Sequence, residues 1–255
     1  PAAGEGLLAG VAESGLYEVD VAAGTAKRVG TDTAPGREIS AVLREAEGGG
    51  TWIATRDRGA FRWDGASGFE KFGMLEGLPD QRVWALLEDR EGVLWLGTDS
   101  GLAKRGPAAF RTYGPEDGLP EATPLFSMAE TADGALWIDA HDRGLLRLAE
   151  DGTIRRFTDR DGLPHSEVRG LCIAPDGSVL VSTVKGLARV SGGRVTPLPL
   201  PEGAPKTVDD LAFARDGALL LGSTRQGLFV LRDGKLSRVG APVGDSISSI
   251  HVGRE

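Results

Sequence analysis

A unit of about 40 to 45 residues recurs along the chain, and no other feature restricts the fold as strongly. Its clearest copy is Gly77–Leu102, GLPDQRVWALLEDREGVLWLGTDSGL. A Gly-Leu-Pro turn leads there into an apolar strand, Val83–Leu87. A charged turn, Glu88–Gly92, joins it to a second strand, Val93–Thr98, and a tight turn closes at Gly101. The glycine before each second strand marks six copies: Gly6, Gly50, Gly92, Gly134, Gly177 and Gly217, spaced by 44, 42, 42, 43 and 40 residues. Helical solenoids have repeats of similar length. Here, however, short β-rich segments are broken by Gly roughly every ten residues, which is strand punctuation. The 38 glycines, about twice the usual share, suit many tight turns.

Each copy parses into four strands. The second reads Ile39–Arg44, Thr51–Thr55, Ala60–Trp63 and Phe69–Phe72. The third reads Val83–Leu87, Val93–Thr98, Leu102–Lys104 and Phe110–Tyr113. The fourth reads Leu125–Glu130, Ala135–Asp139, Leu145–Leu148 and Thr153–Phe157. The fifth and sixth end near Val195–Leu198 and Leu236–Val239. The first copy starts at its second strand, Leu7–Val11, and Ile247–Val252 has the pattern of its missing innermost strand. The expected fold is an all-β, six-bladed β-propeller of four-stranded antiparallel blades. Its ring would be closed by the C-terminal strand pairing with the N-terminal strands in one split blade, which removes open sheet edges. The blades span 5–30 plus 245–255, 37–72, 80–113, 122–158, 166–198 and 206–239, a single domain over 1–255.

Aligned first strands yield one apolar column, Ile39, Val83, Leu125, Val168, Val208 and Ile247. A second lies three residues on: Val42, Leu86, Met128, Leu171, Leu211 and Ile250. Both read as core between blades. The positions between them, Ala41, Ala85, Ser127, Gly170 and Ser249, are small, with Asp210 the exception. Trp52, Trp95 and Trp137 recur on second strands and read as packing between adjacent sheets.

The net charge of −8 argues against nucleic acid as a partner, which needs a basic face. No run of about 18 apolar residues is present to insert into a membrane, and no signal peptide is visible. Cys172 is the only cysteine, so no intrachain disulfide can form, and its apolar neighbours mark it as a buried, inert thiol. Asparagine is absent, which excludes N-glycosylation and removes a common metal ligand.

The blade pattern G-L-P-x-x-x-V-x-x-L…G-x-L-W-L-G-T-x-x-G-L resembles the two-component regulator propeller repeat. It is clearest at Gly77–Leu102, Gly118–Leu145 and Gly162–Leu187. Gln81 stands where family members often carry Asn. The resemblance implies the extracytoplasmic sensing part of a bacterial membrane-bound regulator, in the periplasm or outside the cell. Virginiamycin-type lyases are similar in repeat style. Six-bladed lactonases are similar in outline, but their calcium sites draw on Asn.

Ligands of propellers usually meet the turns between second and third strands and the connections between blades. Those turns hold Arg56, Asp57 and Arg58; Asp99; His141, Asp142 and Arg143; Lys185; and Arg225. Five basic groups on one rim would draw in an anion. They equally suit solvated turns, and Glu76, Asp80, Glu116, Asp117, Asp159 and Asp161 weaken the field. One column near the mouth varies: Ser40, Trp84, Phe126, Arg169, Asp209 and Ser248. Two aromatics beside Arg169 and Asp209 suit a carbohydrate or aromatic ligand, or fill gaps between blades.

His141 and His165, with Asp139 or Asp142, could make a divalent-ion site or a general base, though turn histidines are usually only solvated. His251 reads as core. The Asp-Gly pairs at 133, 176 and 216 read as hairpin turns. GxSxG, P-loop and Rossmann patterns are absent. The expectation is a non-enzymatic sensor that binds a small polar or anionic ligand, without cofactor or metal. Its site would comprise Arg56, Arg58, Trp84, Asp99, Phe126, His141, Arg143, Arg169, Lys185, Asp209 and Arg225. The alternatives are a lyase or hydrolase using His141 and His165, and an interaction platform for a peptide or protein partner.

Overall fold

The computed structural model describes residues 7–11, 14–20, 25–30, 35–36, 38–46, 48–65, 68–106, 109–239, 247 and 250. The chain divides into two compact units between Leu125 and Phe126. The first unit holds three sheets. One has three strands, Leu7–Val11, Gly15–Asp20 and Thr25–Val29. The second sheet is Ile39–Arg44, Thr51–Thr55, Ala60–Trp63 and Phe69–Phe72, and the third Val83–Glu88, Leu94–Thr98, Gly101–Arg105 and Phe110–Tyr113.

The second unit also holds three sheets. The fourth is Ser127–Glu130, Leu136–Asp139, Leu145–Leu148 and Ile154–Phe157, and the fifth Val168–Ile173, Val179–Thr183, Gly186–Ser191 and Arg194–Leu198. The sixth is Asp210–Phe213, Leu219–Ser223, Gly227–Arg232 and Lys235–Arg238. Every strand pairs antiparallel with its neighbour in sequence. The expected closing strand, Ile247–Val252, lies largely outside the described residues. Within it, Ile247 donates its N–H to Ser223 O at 2.9 Å, and Ile250 donates to Asp210 Oδ2 at 2.6 Å.

The repeat is held by a few devices that recur from sheet to sheet. At the hairpin between first and second strands, an acidic side chain collects nearby donors. Asp89 accepts the N–H groups of Glu91 and Val93 and the indole of Trp95. Asp133, Asp176 and Asp216 pair with Arg147, Arg189 and Arg232 of the third strands. The hydroxyl of Thr131, and then Arg147, hold Asp133 down at about 2. The second sheet uses Glu45 instead. It accepts from Arg62 Nε and Nη2 at 2.7 Å each and from Trp52 Nε1 at 2.8 Å, and Arg62 depresses its pKa most.

The opposite turn requires glycine. Gly59, Gly101 and Gly144 all have positive φ, and a Cβ there would fall 2.1, 2.5 and 2.2 Å from the carbonyls of Phe72, Tyr113 and Phe157. Those three aromatics sit beside the second-strand tryptophans, with centroid separations of 4.9 Å for Trp52–Phe72, 5.7 Å for Trp95–Tyr113 and 5.5 Å for Trp137–Phe157. Trp52 also packs with Val83, Leu94 and Leu96 of the third sheet, and Trp137 with Val168, Val179 and Val181 of the fifth. Trp52 and Trp137 therefore do join adjacent sheets. One boundary differs from expectation. The fourth sheet starts at Ser127 rather than Leu125, because the Leu125 N–H is taken by Thr98 O at 3.2 Å.

Candidate functional site

Side chains alternate along a strand, so residues three apart should face opposite ways. The two apolar columns of the first strands nonetheless both pack inward. A β-bulge resolves the conflict in three sheets. Ile39 and Ala41 oppose the consecutive residues Thr55 and Ala54; Val83 and Ala85 oppose Thr98 and Gly97; Val168 and Gly170 oppose Thr183 and Ser182. The extra residues are Ser40, Trp84 and Arg169, three members of the variable column. Bulges re-aim a side chain at the cost of its ladder pairing, which frees this column from the constraint that keeps its neighbours uniform.

In the first unit the structure brings Arg56, Trp84 and Asp99 together. The Arg56 guanidinium carbon lies 5.3 Å from the centre of the Trp84 ring. Trp84 Nε1 donates to Asp99 Oδ1 at 2.5 Å, and Arg82 Nη1 donates to Asp99 Oδ2 at 3.1 Å. Asp99 thus has both oxygens engaged and acts as the tether of the indole. Arg82 was not among the expected residues, and only its position two before Trp84 hinted at it. Arg58 turns to its neighbour Asp57 at 3.1 Å.

In the second unit the Phe126 ring meets the His141 ring edge-on at 5.1 Å. Arg169 pairs with Glu167 at 2.8 Å, and Arg143 with Asp142 at 3.6 Å. Asp209 Oδ2 accepts from the N–H and hydroxyl of Thr224 at 2.7 and 2.9 Å, a turn tether like Asp99. Lys185 is exposed at its turn. Arg225 stands apart from this group, in a surface depression of about 510 Å³ with Glu202, Gln226, Phe229, Leu236 and Arg238. His165 Nδ1 accepts the Glu167 N–H at 3.0 Å, so the two histidines are held by different neighbours. Among the described residues no group of three or more His, Cys, Asp or Glu side chains is placed to hold a metal ion.

Sequence reasoning treated Asp139 only as an accessory to the histidines. It is fully buried. Its counterparts in the other second strands are Ala54, Gly97, Ser182 and Gly222, so a carboxyl group sits where small residues otherwise stand. Oδ1 accepts the His141 N–H at 2.7 Å, with His141 at φ 48°. Among the described residues Oδ2 has no hydrogen-bond partner, nor has the buried Oγ of Ser127, the residue directly opposite on the first strand. Burial pushes the Asp139 carboxyl up to about 7, against the pull of the His141 N–H and of Arg169, with Asp210 adding to the rise. The next residue departs from pattern too. Thr55, Thr98 and Thr183 donate their hydroxyls to the turn carbonyls of Gly59, Gly101 and Gly186, and Ala140 replaces them in the fourth sheet. Aligning Ile138-Asp139-Ala140 with Leu96-Gly97-Thr98 would have exposed both departures.

Residues 77–100 match the family described as two component regulator propeller. No curated protein matches the chain by sequence. Among solved structures, the extracellular domain of a hybrid two-component system from B. thetaiotaomicron superposes with a TM-score of 0.75 at 19% identity, covering 94% of this chain and 35% of that one. The extracellular domain of a one-component system from the same organism gives 0.65 at 24% identity, covering 79% and 27%. Virginiamycin B lyase from Staphylococcus aureus, a catalytically inactive form with quinupristin, gives 0.70 at 14% identity, covering 87% and 75%. At these identities the likeness establishes the fold alone, a β-propeller. The chain spans about a third of the length of the first of these relatives and about a quarter of the second. Among the described residues no helix is long and apolar enough to cross a membrane.

Proposed function

We propose that this chain is the ligand-sensing part of an extracytoplasmic receptor, binding a small polar or anionic, sugar-like ligand at the turn ends of its inner strands. One observation carries the reading: the bulged Trp84 is fixed at its indole N–H by Asp99 and on its face by Arg56. A half-buried aromatic plane with a cation over one face and a carboxylate at its edge supplies stacking area on the other face together with directional polar groups. Arg58 adds positive charge to the same turn. In the second unit Phe126, His141, Arg143, Arg169 and Lys185 offer a similar mixture, and Arg225 with its depression offers a further basic position. The likeness to extracellular domains of two-component and one-component systems supports the sensing role and a location outside the cytoplasm.

Thermal shift against uronic acids, sugars, phosphates and dicarboxylates tests this. A ligand at a hundredfold excess over its Kd stabilises the native state by about 2.7 kcal/mol. The expected result is a shift with an anionic or sugar-acid ligand that Trp84→Ala abolishes; a full panel without any shift would overturn the reading. The lyase or hydrolase alternative is tested in the same preparation by adding quinupristin and looking for turnover that His141→Ala removes.

The interaction-platform reading has an observation of its own. Met74 and Leu75 are 59% and 99% exposed on the turn 74–76, whereas the matching turns carry Pro115-Glu116 and Asp159-Arg160. Co-purification of a stoichiometric partner, lost on Leu75→Asp, would favour it.

A further inference from the structure

Asp139 and Ser127 place two polar atoms, each without a hydrogen-bond partner among the described residues, on opposed residues of one ladder, both sealed from solvent. A Cβ added at the equivalent Gly97 would meet Leu125, and one at Gly222 would meet Ile247, so this position faces the segment that opens the following repeat, and strand Leu136–Asp139 itself lies against the first strand of the next sheet. For Asp139 that strand is Val168–Ile173, which carries the bulge residue Arg169. An ionised carboxylate buried without a counterion is costly, so it either stays neutral or recruits a cation. A group this enclosed is out of reach of a dissolved ligand, but it can gain or lose a proton during brief local opening.

The charged neighbours on each packed element decide which cation responds. On its own turn, His141 gives Asp139 only a backbone N–H while its ring rests on Phe126, and Arg143 is paired with Asp142. From the sixth sheet Asp210 contributes negative charge, and its oxygens take the N–H groups of Leu211 and Ile250. From the fifth sheet Arg169 acts on Asp139 with the opposite sign. Its side chain is 40% exposed and is held by Glu167.

We infer that Asp139 is a proton-operated control on Arg169. With Asp139 neutral, Arg169 stays on Glu167 at the turn end of the fifth sheet; with Asp139 ionised, Arg169 turns inward to it and that end loses its cation. The reaction is one proton leaving Oδ2 for solvent, with no bond formed other than the new ion pair. Ionisation also makes the His141 N–H bond to Oδ1 charge-assisted, which tightens the turn bearing His141 and Arg143. The consequence for anion binding rests on the function proposed above, whereas the switch itself does not.

Side-chain NMR of the whole chain between about pH 5 and about pH 9, a window bracketing the perturbed carboxyl, tests the switch. The Asp139 carboxyl signal is assigned by its loss in Asp139→Asn, and the Arg169 Nε–H signal by its loss in Arg169→Lys. Both signals are expected to titrate with one midpoint, and the Arg169 signal should stop titrating in Asp139→Asn. Should that variant fail to fold, Arg169→Gln is the second arm, expected to raise the Asp139 midpoint. An Arg169 signal that stays flat while Asp139 titrates would overturn the inference, as would an Asp139 that does not titrate in this range. Sulfate is the binding probe. Its affinity should fall roughly tenfold across the midpoint, the worth of one charge-assisted hydrogen bond. Signals that move together without sulfate binding at any pH would uphold the switch and count against the anionic ligand.

Discussion

Trp84 donates its indole N–H to Asp99 at 2.5 Å, so a residue on a bulge is tied to the tight turn that follows the neighbouring strand. A hydrogen bond to a charged acceptor contributes about 1.5–3 kcal/mol. Asp99→Ala is therefore expected to destabilise the chain by about that amount in urea titrations and to weaken any ligand that Trp84→Ala weakens. Asp57→Ala is the control. Its pairing with Arg58 is solvent-exposed and should contribute less than about 1 kcal/mol.

Two glycines with nearly the same φ should respond very differently to alanine. Gly59 has φ 85° and a carbonyl 2.1 Å from where a Cβ would go, whereas Gly65 has φ 88° and nothing within 4 Å among the described residues. Gly65→Ala meets only the left-handed backbone penalty of about 1–2 kcal/mol. Gly59→Ala must also displace the Phe72 strand, and it should lose more than about 3 kcal/mol or fail to fold. Thermal unfolding of the pair measures the difference.

Glu45 collects Arg62 and Trp52 in a half-buried network, while Asp216 pairs with Arg232 in the open. Removing one member of a fully buried ionic network leaves the other charge unpaired, at about 3–5 kcal/mol. Glu45→Ala, with Arg62 partly in solvent, should stay below that range but exceed about 1 kcal/mol. Asp216→Ala, with an exposed partner, should fall within about 1 kcal/mol of the parent. Chemical denaturation midpoints give both values.

The pH dependence of stability has a definite sign at Asp139. Its folded pKa of about 7 lies above that of an unfolded aspartate, about 3.9. Between these values the folded state holds a proton that the unfolded state has released, so stability falls as pH rises through the window and levels off above about 7. Asp139→Asn should remove that decline. Asp133 acts the other way. Held at about 2, its contribution is complete above the unfolded pKa and is lost as pH falls through the folded one. Unfolding free energies measured across pH for parent and Asp139→Asn check the first sign, and Asp133→Asn checks the second.

Cys172 has its thiol pushed up to about 12, first by burial and then by Asp210. The thiolate is the reactive form. At mildly alkaline pH the native protein should therefore react with a disulfide reagent far more slowly than the urea-unfolded chain, in a one-thiol absorbance assay.

The repeat spacing, the turn glycines and the alternation of apolar and polar residues determined from the sequence alone that six β-sheets form and, within a residue or two, where the strands of the second to fourth sheets run. Those are local properties: a Gly at positive φ, an Asp closing a hairpin and a period of two need only neighbouring residues to act. Tertiary structure decided the rest. The three-residue interval from Val83 to Leu86 is contradictory on a regular strand, and only pairing with Leu94–Thr98 shows Trp84 to be an inserted residue. Asp99 and Asp209 looked like ligand contacts, and their actual partners, Trp84 and Thr224, lie 15 residues away in sequence. Asp139 was visible as a letter out of column, but its burial depends on how the fourth and fifth sheets pack. A carboxyl group's charge at neutral pH is set by the water and charges around it, and those surroundings exist only once distant strands have come together.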